Sequence, residues 1–420
     1  MTHSAWPQLP PNVSPAMLAV DFWLDRVEYP DAPLLTATEL NAFNARVPKV
    51  LNIPPVLSLP DTMDADDVRQ QISAYAPPAK PRYGSTGQLL DAGYWQRLTT
   101  NAAPDLPDQV PVRFGLITRR AEVRAFPASD VITSRPYEFP LDRSQETTVD
   151  IGWPVAVLAT SRDACWHFCL TPNYWGWVRV DHIALAPRDT IAAYVNSEPF
   201  VTTITSRGLV ALPEVGGVTP QMGTRLPLVG VSPDSFSIQV PVRADEGALA
   251  FTNGIAARST GEFGAGCLPL TLRTVFSQVC TLLGEPYAWG GSRLGIFGRD
   301  CSRLVRDVFA TAGLYLPRNG DQQLKACTRQ IIFIPDMQDS ERQDALITYA
   351  TPGALLGLPG HIMLYLGHVN GIPYAIHATS SGQYSNVIVS DLSLGAGGPS
   401  GSLLRRLTEA VAITGSSNSL

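Results

Sequence analysis

The stretch from Leu346 to Ser390 contains no aspartate, glutamate, lysine or arginine, although 16% of the whole chain is charged. A segment this long without charge belongs either in a membrane or in a protein interior. Prolines and glycines interrupt it repeatedly, so no apolar helix of about 20 residues can form to span a bilayer. Three apolar runs remain, at 353–358, 361–367 and 373–378. We therefore expect a buried sheet that follows a helical segment, which is an α+β arrangement.

A glycine-rich loop precedes a predicted helix whose first turn carries Cys301. Gly290, Gly291 and Gly298 interrupt regular structure, and apolar residues recur at helical spacing after Asp300. Aspartate is a preferred helix N-cap, and the positive end of a helix dipole favours a thiolate over a thiol. Cys301 is therefore a candidate nucleophile of a cysteine hydrolase. The alternative is a small apolar side chain packed at a helix start.

Two histidines at matched ends of a predicted hairpin could supply the base for this cysteine. His361 begins one apolar run and His377 ends the next, with the turn signal Asn370-Gly371 between them. Pairing about this turn puts His361 opposite about position 380, and a bulge would bring both imidazoles to one face. His368 lies near the turn and is excluded. Each histidine alone would more often be structural, but the pair behind a capped cysteine indicates a nucleophile and its base.

The rest of the chain predicts several further domains, because 420 residues exceed one ordinary core. Residues 1–105 predict an accessory region, with a capping box at Thr36 and then a proline-interrupted strap. Short strands bounded by turns predict one small all-β barrel at 106–188 and a more diverged one at 189–262. Residues 263–420 form the α+β domain. The fold class is thus multidomain, with two small barrels before an α+β domain.

Charge and cysteine content limit the partners and the compartment. A net charge of −6 argues against a nucleic-acid partner. The first residues show no basic and apolar regions of a signal peptide, and six cysteines do not make a disulfide framework in a chain this long. The compartment therefore stays open. No cofactor and no membrane span are expected.

One further cluster has the residue types of a metal site. Cys165, His167 and Cys169 alternate along a predicted strand, so they could share a face and bind zinc. No CxxC pair accompanies them, and strand neighbours two apart are usually core residues. We expect no metal here.

Four short motifs resemble the NlpC/P60 family of cysteine peptidases. They are Tyr287-Ala-Trp-Gly-Gly, Asp300-Cys-Ser, Gly360-His-Ile-Met-Leu-Tyr-Leu-Gly and Ile376-His-Ala, in the family's order. The resemblance covers about residues 265–415. The first barrel resembles bacterial SH3 domains, and the second is a more diverged SH3-like barrel; a strap with two such domains resembles a multidomain branch of the family. The residues that carry the SH3 resemblance are Arg120, Arg124, Pro127, Trp166, Tyr174, Gly176 and Trp177. The resemblance implies a papain-like fold that cuts peptide stems of peptidoglycan, usually between D-γ-glutamate and a diamino acid.

The resemblance also implies a role for each matching residue. Cys301 would be the nucleophile, His361 the base and His377 the residue that orients it. Three positions match those that line the family's substrate site: Tyr287, Asp300 and Ser302. The Tyr287 hydroxyl could reach the oxyanion or the substrate, and the Cys301 backbone N–H is a natural oxyanion donor.

Arg303 departs from the family, which usually has glycine after Asp-Cys-Ser. We expect its side chain to project outward, to a substrate carboxylate or to an acidic residue of another domain. Arg318 is a second candidate for binding a substrate carboxylate.

Other functions share these features. The same thiol chemistry serves amidases and acyltransferases, and a cell-wall-binding protein could carry a vestigial triad. The expected partner is a peptidoglycan stem peptide or muropeptide, bound by a monomer. We favour the cell envelope, because peptidoglycan is there, over cytoplasmic recycling of wall fragments. If the barrels close one end of the cleft, only a stem with a free N-terminal L-Ala would fit.

Overall fold

The computed structural model describes residues 9–138, 141–213, 216–293 and 296–414. Residues 1–8, on which the signal-peptide expectation rests, lie outside this part. The described residues form two compact units. We call one the barrel unit (52–267 and 288–298) and the other the histidine unit (9–51, 268–287 and 299–414). The predicted boundaries at 105, 188 and 262 stay predictions.

The first sheet of the barrel unit is antiparallel and has seven strands. In spatial order they are Gln145–Val149, Ala121–Arg124, Trp175–Arg179, Trp166–Leu170, Pro154–Thr160, Arg113–Ile117 and Ile183–Leu185. Phe168 and Trp177 are fully buried and pack edge to face at 5.3 Å. This aromatic core explains why alternating strands with turns at regular spacing fold into a small β-domain. A short pair, Thr62–Asp64 and Gln109–Pro111, stands apart from this sheet.

The second sheet of the barrel unit is also antiparallel and seven-stranded. Its strands, in spatial order, are Gly216–Val218, Val210–Leu212, Leu249–Ala257, Ser235–Arg243, Arg225–Val231, Phe200–Thr203 and Phe263–Ala265. Alternate residues of Ser235–Arg243, among them Phe236, Ile238 and Val240, are buried against this sheet's core. Three α-helices complete the unit: Ala65–Ser73, Ala92–Asn101 and Arg188–Val195.

The histidine unit is built on one antiparallel sheet of six strands. In spatial order they are Thr328–Ile332, Glu409–Ala412, Leu355–Leu358, His361–Val369, Ile372–Ser381 and Tyr384–Asp391. Its helices are Val20–Leu24, Ala37–Leu51, Leu272–Cys280, Cys301–Ala310, Gly320–Ala326, Asp339–Tyr349 and Leu403–Arg406. The uncharged stretch supplies the central strands, which confirms the predicted buried sheet. The multidomain fold class, with β-domains and an α+β domain, is confirmed as well.

The N-terminal residues of this unit pack on its sheet. Trp23 is fully buried, and its ring lies 5.6 Å from that of Tyr374. The Tyr374 hydroxyl donates to the Asn12 carbonyl at 2.9 Å. The capping box at Thr36 is confirmed, since Thr36 N–H donates to Glu39 Oε2 at 2.8 Å and Glu39 N–H to Thr36 Oγ1 at 3.3 Å.

No helix in the described ranges combines the length and the apolar character that crossing a membrane requires.

Candidate active site

The helix Cys301–Ala310 begins with the cap that its sequence predicts. Asp300 has extended backbone angles, and its Oδ1 accepts the N–H of Arg303 at 2.9 Å. This bond satisfies one of the N–H groups that a helix start leaves without a partner. Cys301 is the first residue of the helix, so its thiol and its backbone N–H lie at the positive end of the dipole.

A buried arginine fixes the cap. Arg318 Nη2 lies 2.5 Å from Asp300 Oδ2, and Nη1 lies 3.1 Å from Oδ1. The same Nη1 donates to Ser302 Oγ at 2.8 Å. Burial alone would raise the pKa of Asp300, but the Arg318 guanidinium and the hydrogen bonds to the carboxylate hold it below its ordinary value. Asp300 is therefore ionised and paired with Arg318. Ser302 accepts a hydrogen bond from the same guanidinium.

Gln323 holds the loop that carries Arg318. Its Nε2 donates at 2.8 Å to the carbonyls of Ser302 and Pro317, and its side chain is fully buried. Together with Arg318, Gln323 thus ties the loop to the first helical turn on both sides of Cys301.

Cys301 is partly exposed. Desolvation by the surrounding protein, followed by the nearby Asp300 carboxylate, raises the pKa of its thiol to about 11. Hydrogen bonding from the N–H of Ile362 and the charge of Arg318 act in the opposite direction. The raised pKa means that Cys301 is a thiol at neutral pH, contrary to the resting thiolate expected from the sequence, because desolvation and the Asp300 carboxylate oppose its ionisation.

The predicted hairpin forms, with the predicted turn. Val369 pairs with Ile372 around Asn370-Gly371, both of which have positive φ. The register shifts by one between Tyr365 and Gly367. This bulge moves the position opposite His361 from 380 to 379, which has the same parity as His377. It is the register change that brings both histidines to one face.

The two histidines are in direct contact. His361 Nε2 lies 2.7 Å from His377 Nδ1, and their rings pack edge to face at 4.9 Å. Desolvation lowers the pKa of His361 to about 4 and that of His377 well below its ordinary value. Both imidazoles are therefore neutral at pH 7. His377 engages Nε2 of His361, which leaves Nδ1 as the other ring nitrogen, and the N–H of the neighbouring residue Ile362 contacts the Cys301 thiol.

Comparison with known proteins finds two domain matches in this chain. Residues 284–394 match the NlpC/P60 family, and residues 134–179 match the SH3 domain of SH3b1 type. The chain carries an NlpC/P60 domain. The SH3 match covers four strands of the first barrel sheet, which confirms the SH3-like assignment there.

Two curated relatives match shorter stretches. The bifunctional muramidase/DL-endopeptidase CwlT of Bacillus subtilis is 48% identical over 12% of this chain and 15% of its own length. The probable endopeptidase p60 of Listeria monocytogenes is 30% identical over 24% of this chain and 20% of its own. The chain thus spans no more than a fifth of the length of these relatives.

Solved structures of the family share the fold over most of the chain. An NlpC/P60 endopeptidase from Photobacterium damselae superposes with a TM-score of 0.74 at 17% identity, covering 94% of this chain and 97% of that one. An NlpC/P60 family protein from Bacillus cereus gives a TM-score of 0.50 at 16% identity, covering 71% and 99%. At these identities the likeness concerns the fold alone.

Arg303, the departure from the family pattern, does not project outward as expected. Its side chain is fully buried, and its Nε donates to Asp307 Oδ2 at 3.2 Å, one helical turn on. Arg299 donates to the same oxygen at 3.0 Å and also pairs with Glu285. The expectation was wrong because Asp307, one turn further along the helix, is buried and draws the Arg303 side chain inward. Arg318 likewise binds a carboxylate, but that of Asp300.

The remaining motif residues lie in or beside the loop. In the histidine unit, Tyr287 is buried, and its N–H donates to the Ser385 carbonyl at 2.9 Å. In the barrel unit, Trp289 Nε1 donates to the Gln145 carbonyl at 3.0 Å, with Arg143 4.9 Å above the ring. Trp289 therefore has a packing role in the loop.

The zinc alternative finds no support in the geometry. Cys165 is exposed, Cys169 is fully buried, and His167 Nδ1 lies 3.0 Å from Thr160 Oγ1. No group of three or more potential ligands is placed to hold a metal within the described ranges. All six cysteines are unpaired.

Two residues of the site escaped the sequence reasoning. Gln323 donates to the Ser302 carbonyl in the first turn of the Cys301 helix, and Ser390 Oγ lies 3.1 Å from His377 Nε2. Ser390 belongs to a third strand, and only the pairing of that strand with Ile372–Ser381 brings it near. Neither residue has a motif that would have identified it.

Proposed function

We propose that this protein is a cysteine endopeptidase that hydrolyses the bond between D-γ-glutamate and a diamino acid in peptidoglycan stem peptides. The observation that carries the proposal is the contact between His361 Nε2 and His377 Nδ1. The residue after His361 on the same strand, Ile362, contacts the Cys301 thiol through its N–H. The family match and the endopeptidase names of two relatives support the type of reaction, and the stem-peptide substrate is what the resemblance to the family implies.

The chemistry follows from a pair that is neutral at rest. On substrate binding, His361 Nδ1 takes the Cys301 proton, and the thiolate attacks the γ-carbonyl of D-glutamate. The Cys301 backbone N–H, at the start of a helix, donates to the oxyanion. His361 then gives its proton to the leaving amine, and an acyl-enzyme remains. Water, deprotonated by His361, releases the acid and restores the thiol.

His377 acts on His361 through the hydrogen bond that joins them. His377 is almost wholly buried, at 1% exposure, so water does not compete for its hydrogen bond to His361. An imidazolium formed on His361 would be stabilised by the second ring. Tyr287, Asp300 and Ser302 stay predictions as substrate-lining residues. For Asp300 and Ser302, the geometry supports a role in shaping the first turn.

The site of action is part of the proposal. We place the protein in the cell envelope, where peptidoglycan lies, and we expect a monomer. Comparing a free L-Ala-γ-D-Glu-diaminopimelate peptide with the same stem attached to muramic acid tests this placement. Cleavage of both supports a wall substrate, whereas cleavage of the free peptide alone indicates recycling of wall fragments.

The test of activity is cleavage of the free peptide, followed by chromatography of the released diaminopimelate. Cleavage that requires Cys301 supports the proposal. Sedimentation with insoluble peptidoglycan, without cleavage, would instead identify a wall-binding protein. Turnover of esters or acyl donors alone would identify an amidase or acyltransferase.

A further inference from the structure

Ser390 extends the line of polar groups that begins at Cys301. It belongs to the strand Tyr384–Asp391, in which Ile388 lies opposite His377. Ser390 is two residues further along, so it shares the face of His377. Its Oγ lies 3.1 Å from His377 Nε2, and its side chain is fully buried. Three neighbouring strands thus align His361, His377 and Ser390 in one chain of hydrogen bonds.

Two hydrogen bonds in series allow two arrangements of protons between neutral rings. In the first, His377 Nε2–H donates to Ser390 and His361 Nε2–H donates to His377 Nδ1. In the second, the Ser390 hydroxyl donates to His377 Nε2, and His377 Nδ1–H donates to His361 Nε2. Each neutral imidazole carries one proton, so the second arrangement places a proton on His361 Nδ1. Only the first leaves Nδ1 free as a base.

Because His377 and Ser390 are buried, Ser390 determines which hydrogen bond His377 Nε2 can make. His377 is 1% exposed and Ser390 is 0% exposed, so the described neighbours rather than solvent set the hydrogen bonds of this ring. Loss of an acceptor there would leave a buried N–H without a partner, which costs about 1–3 kcal/mol. If the His377 ring turned or changed tautomer to avoid that cost, the proton on His361 would move from Nε2 to Nδ1.

We propose that Ser390 is a positioning residue whose hydroxyl accepts the His377 Nε2 proton and thereby keeps His361 Nδ1 free to deprotonate Cys301. This inference rests on the proposed function. Ser390 touches neither the substrate nor the reacting atoms. It acts through two rings, and its effect belongs on kcat rather than on KM.

The first test needs no variant. NMR of the whole protein with ¹⁵N-labelled histidine, near pH 7.5, reports which nitrogen of each ring carries the proton. We expect His361 and His377 both to be protonated on Nε2, with assignments from His361→Gln and His377→Gln. A spectrum with His361 protonated on Nδ1 overturns the proposal. The spectrum does not depend on cleavage, so absence of peptidase activity would refute the proposed function and leave this result readable.

The second test uses Ser390→Ala and Ser390→Thr, with Ser385→Ala, an exposed serine of the same strand, as the matched control. We expect Ser390→Ala to lower kcat by a factor between about 10 and about 10⁴, the range that a wrong tautomer can produce, with KM unchanged. A new Nδ1–H signal should appear for His361. Ser390→Thr retains the hydroxyl and should keep the wild-type kcat and spectrum. If Ser390→Ala also keeps the wild-type kcat and spectrum, the proposal is wrong. If Ser390→Ala does not fold, the protonated nitrogen of His361 in the wild-type and Ser390→Thr spectra tests the proposal instead.

Discussion

The Arg318 guanidinium lies 2.5 Å from the Asp300 carboxylate that caps the helix of Cys301, and both side chains are buried. The ion pair therefore couples the conformation of the loop that carries Arg318 to that of the first turn of the Cys301 helix. Removal of one partner leaves a buried charge without compensation, which is more costly than loss of a surface pair.

Replacing Arg318 should destabilise the fold strongly. We expect Arg318→Ala to lower the free energy of unfolding by about 3–5 kcal/mol. Arg329 pairs with Glu409 at 3.0 Å on the surface of the same unit, so Arg329→Ala is the matched control, with an expected loss of no more than about 1 kcal/mol. Urea denaturation measures both. Equal losses in the two variants would contradict the buried pair.

Arg303 should matter to stability and not to substrate binding. Arg303→Met removes a buried charge while Arg299 still neutralises Asp307. We expect a loss of about 1–3 kcal/mol in the free energy of unfolding. The KM for a stem peptide should stay within about twofold of the wild type. A large rise in KM at unchanged stability would show that Arg303 contacts the substrate after all.

The Cys301 thiol should alkylate slowly at neutral pH. Its pKa, raised to about 11, leaves less thiolate at pH 7.5 than an ordinary cysteine has. Peptide mass spectrometry after brief iodoacetamide treatment should show faster labelling of exposed Cys165 than of Cys301. The Cys301 rate should still rise at pH values where an ordinary thiol has levelled off. A plateau below pH 8 would indicate a resting thiolate.

His377 should make the fold sensitive to acid. Its folded pKa is far below the value of about 6.5 in an unfolded chain, so below pH 6.5 the unfolded state binds the extra proton. The stability of the folded state is therefore complete above pH 6.5 and falls as the pH decreases. Each such group contributes up to about 1.4 kcal/mol per pH unit. In His377→Gln, urea denaturation between pH 7 and 5 should show a shallower decrease than in the wild type, and an unchanged slope would exclude this origin.

Local sequence rules predicted the parts of the site that local structure determines. The Asp300 cap, the Asn370-Gly371 turn and the uncharged sheet all follow from preferences within a few residues. The sequence predicted that some bulge was needed for both histidines to share a face, and the structure has it between Tyr365 and Gly367. Its position was not predictable.

Features that depend on packing between distant segments were missed. The outward direction expected for Arg303 and the lowered pKa expected for Cys301 both assumed a solvated helix start. Asp307 and the protein around the thiol changed both outcomes. Ser390 and Gln323 entered the site only through strand pairing and the return of a loop, which no spacing in the sequence reveals.

Cleavage of L-Ala-γ-D-Glu-diaminopimelate by the wild type, Cys301→Ala and the control Cys165→Ala tests the role of Cys301 most directly. We expect the wild type and Cys165→Ala to release diaminopimelate at equal rates and Cys301→Ala to release none. Equal release by Cys301→Ala, or no release by the wild type, would contradict this expectation.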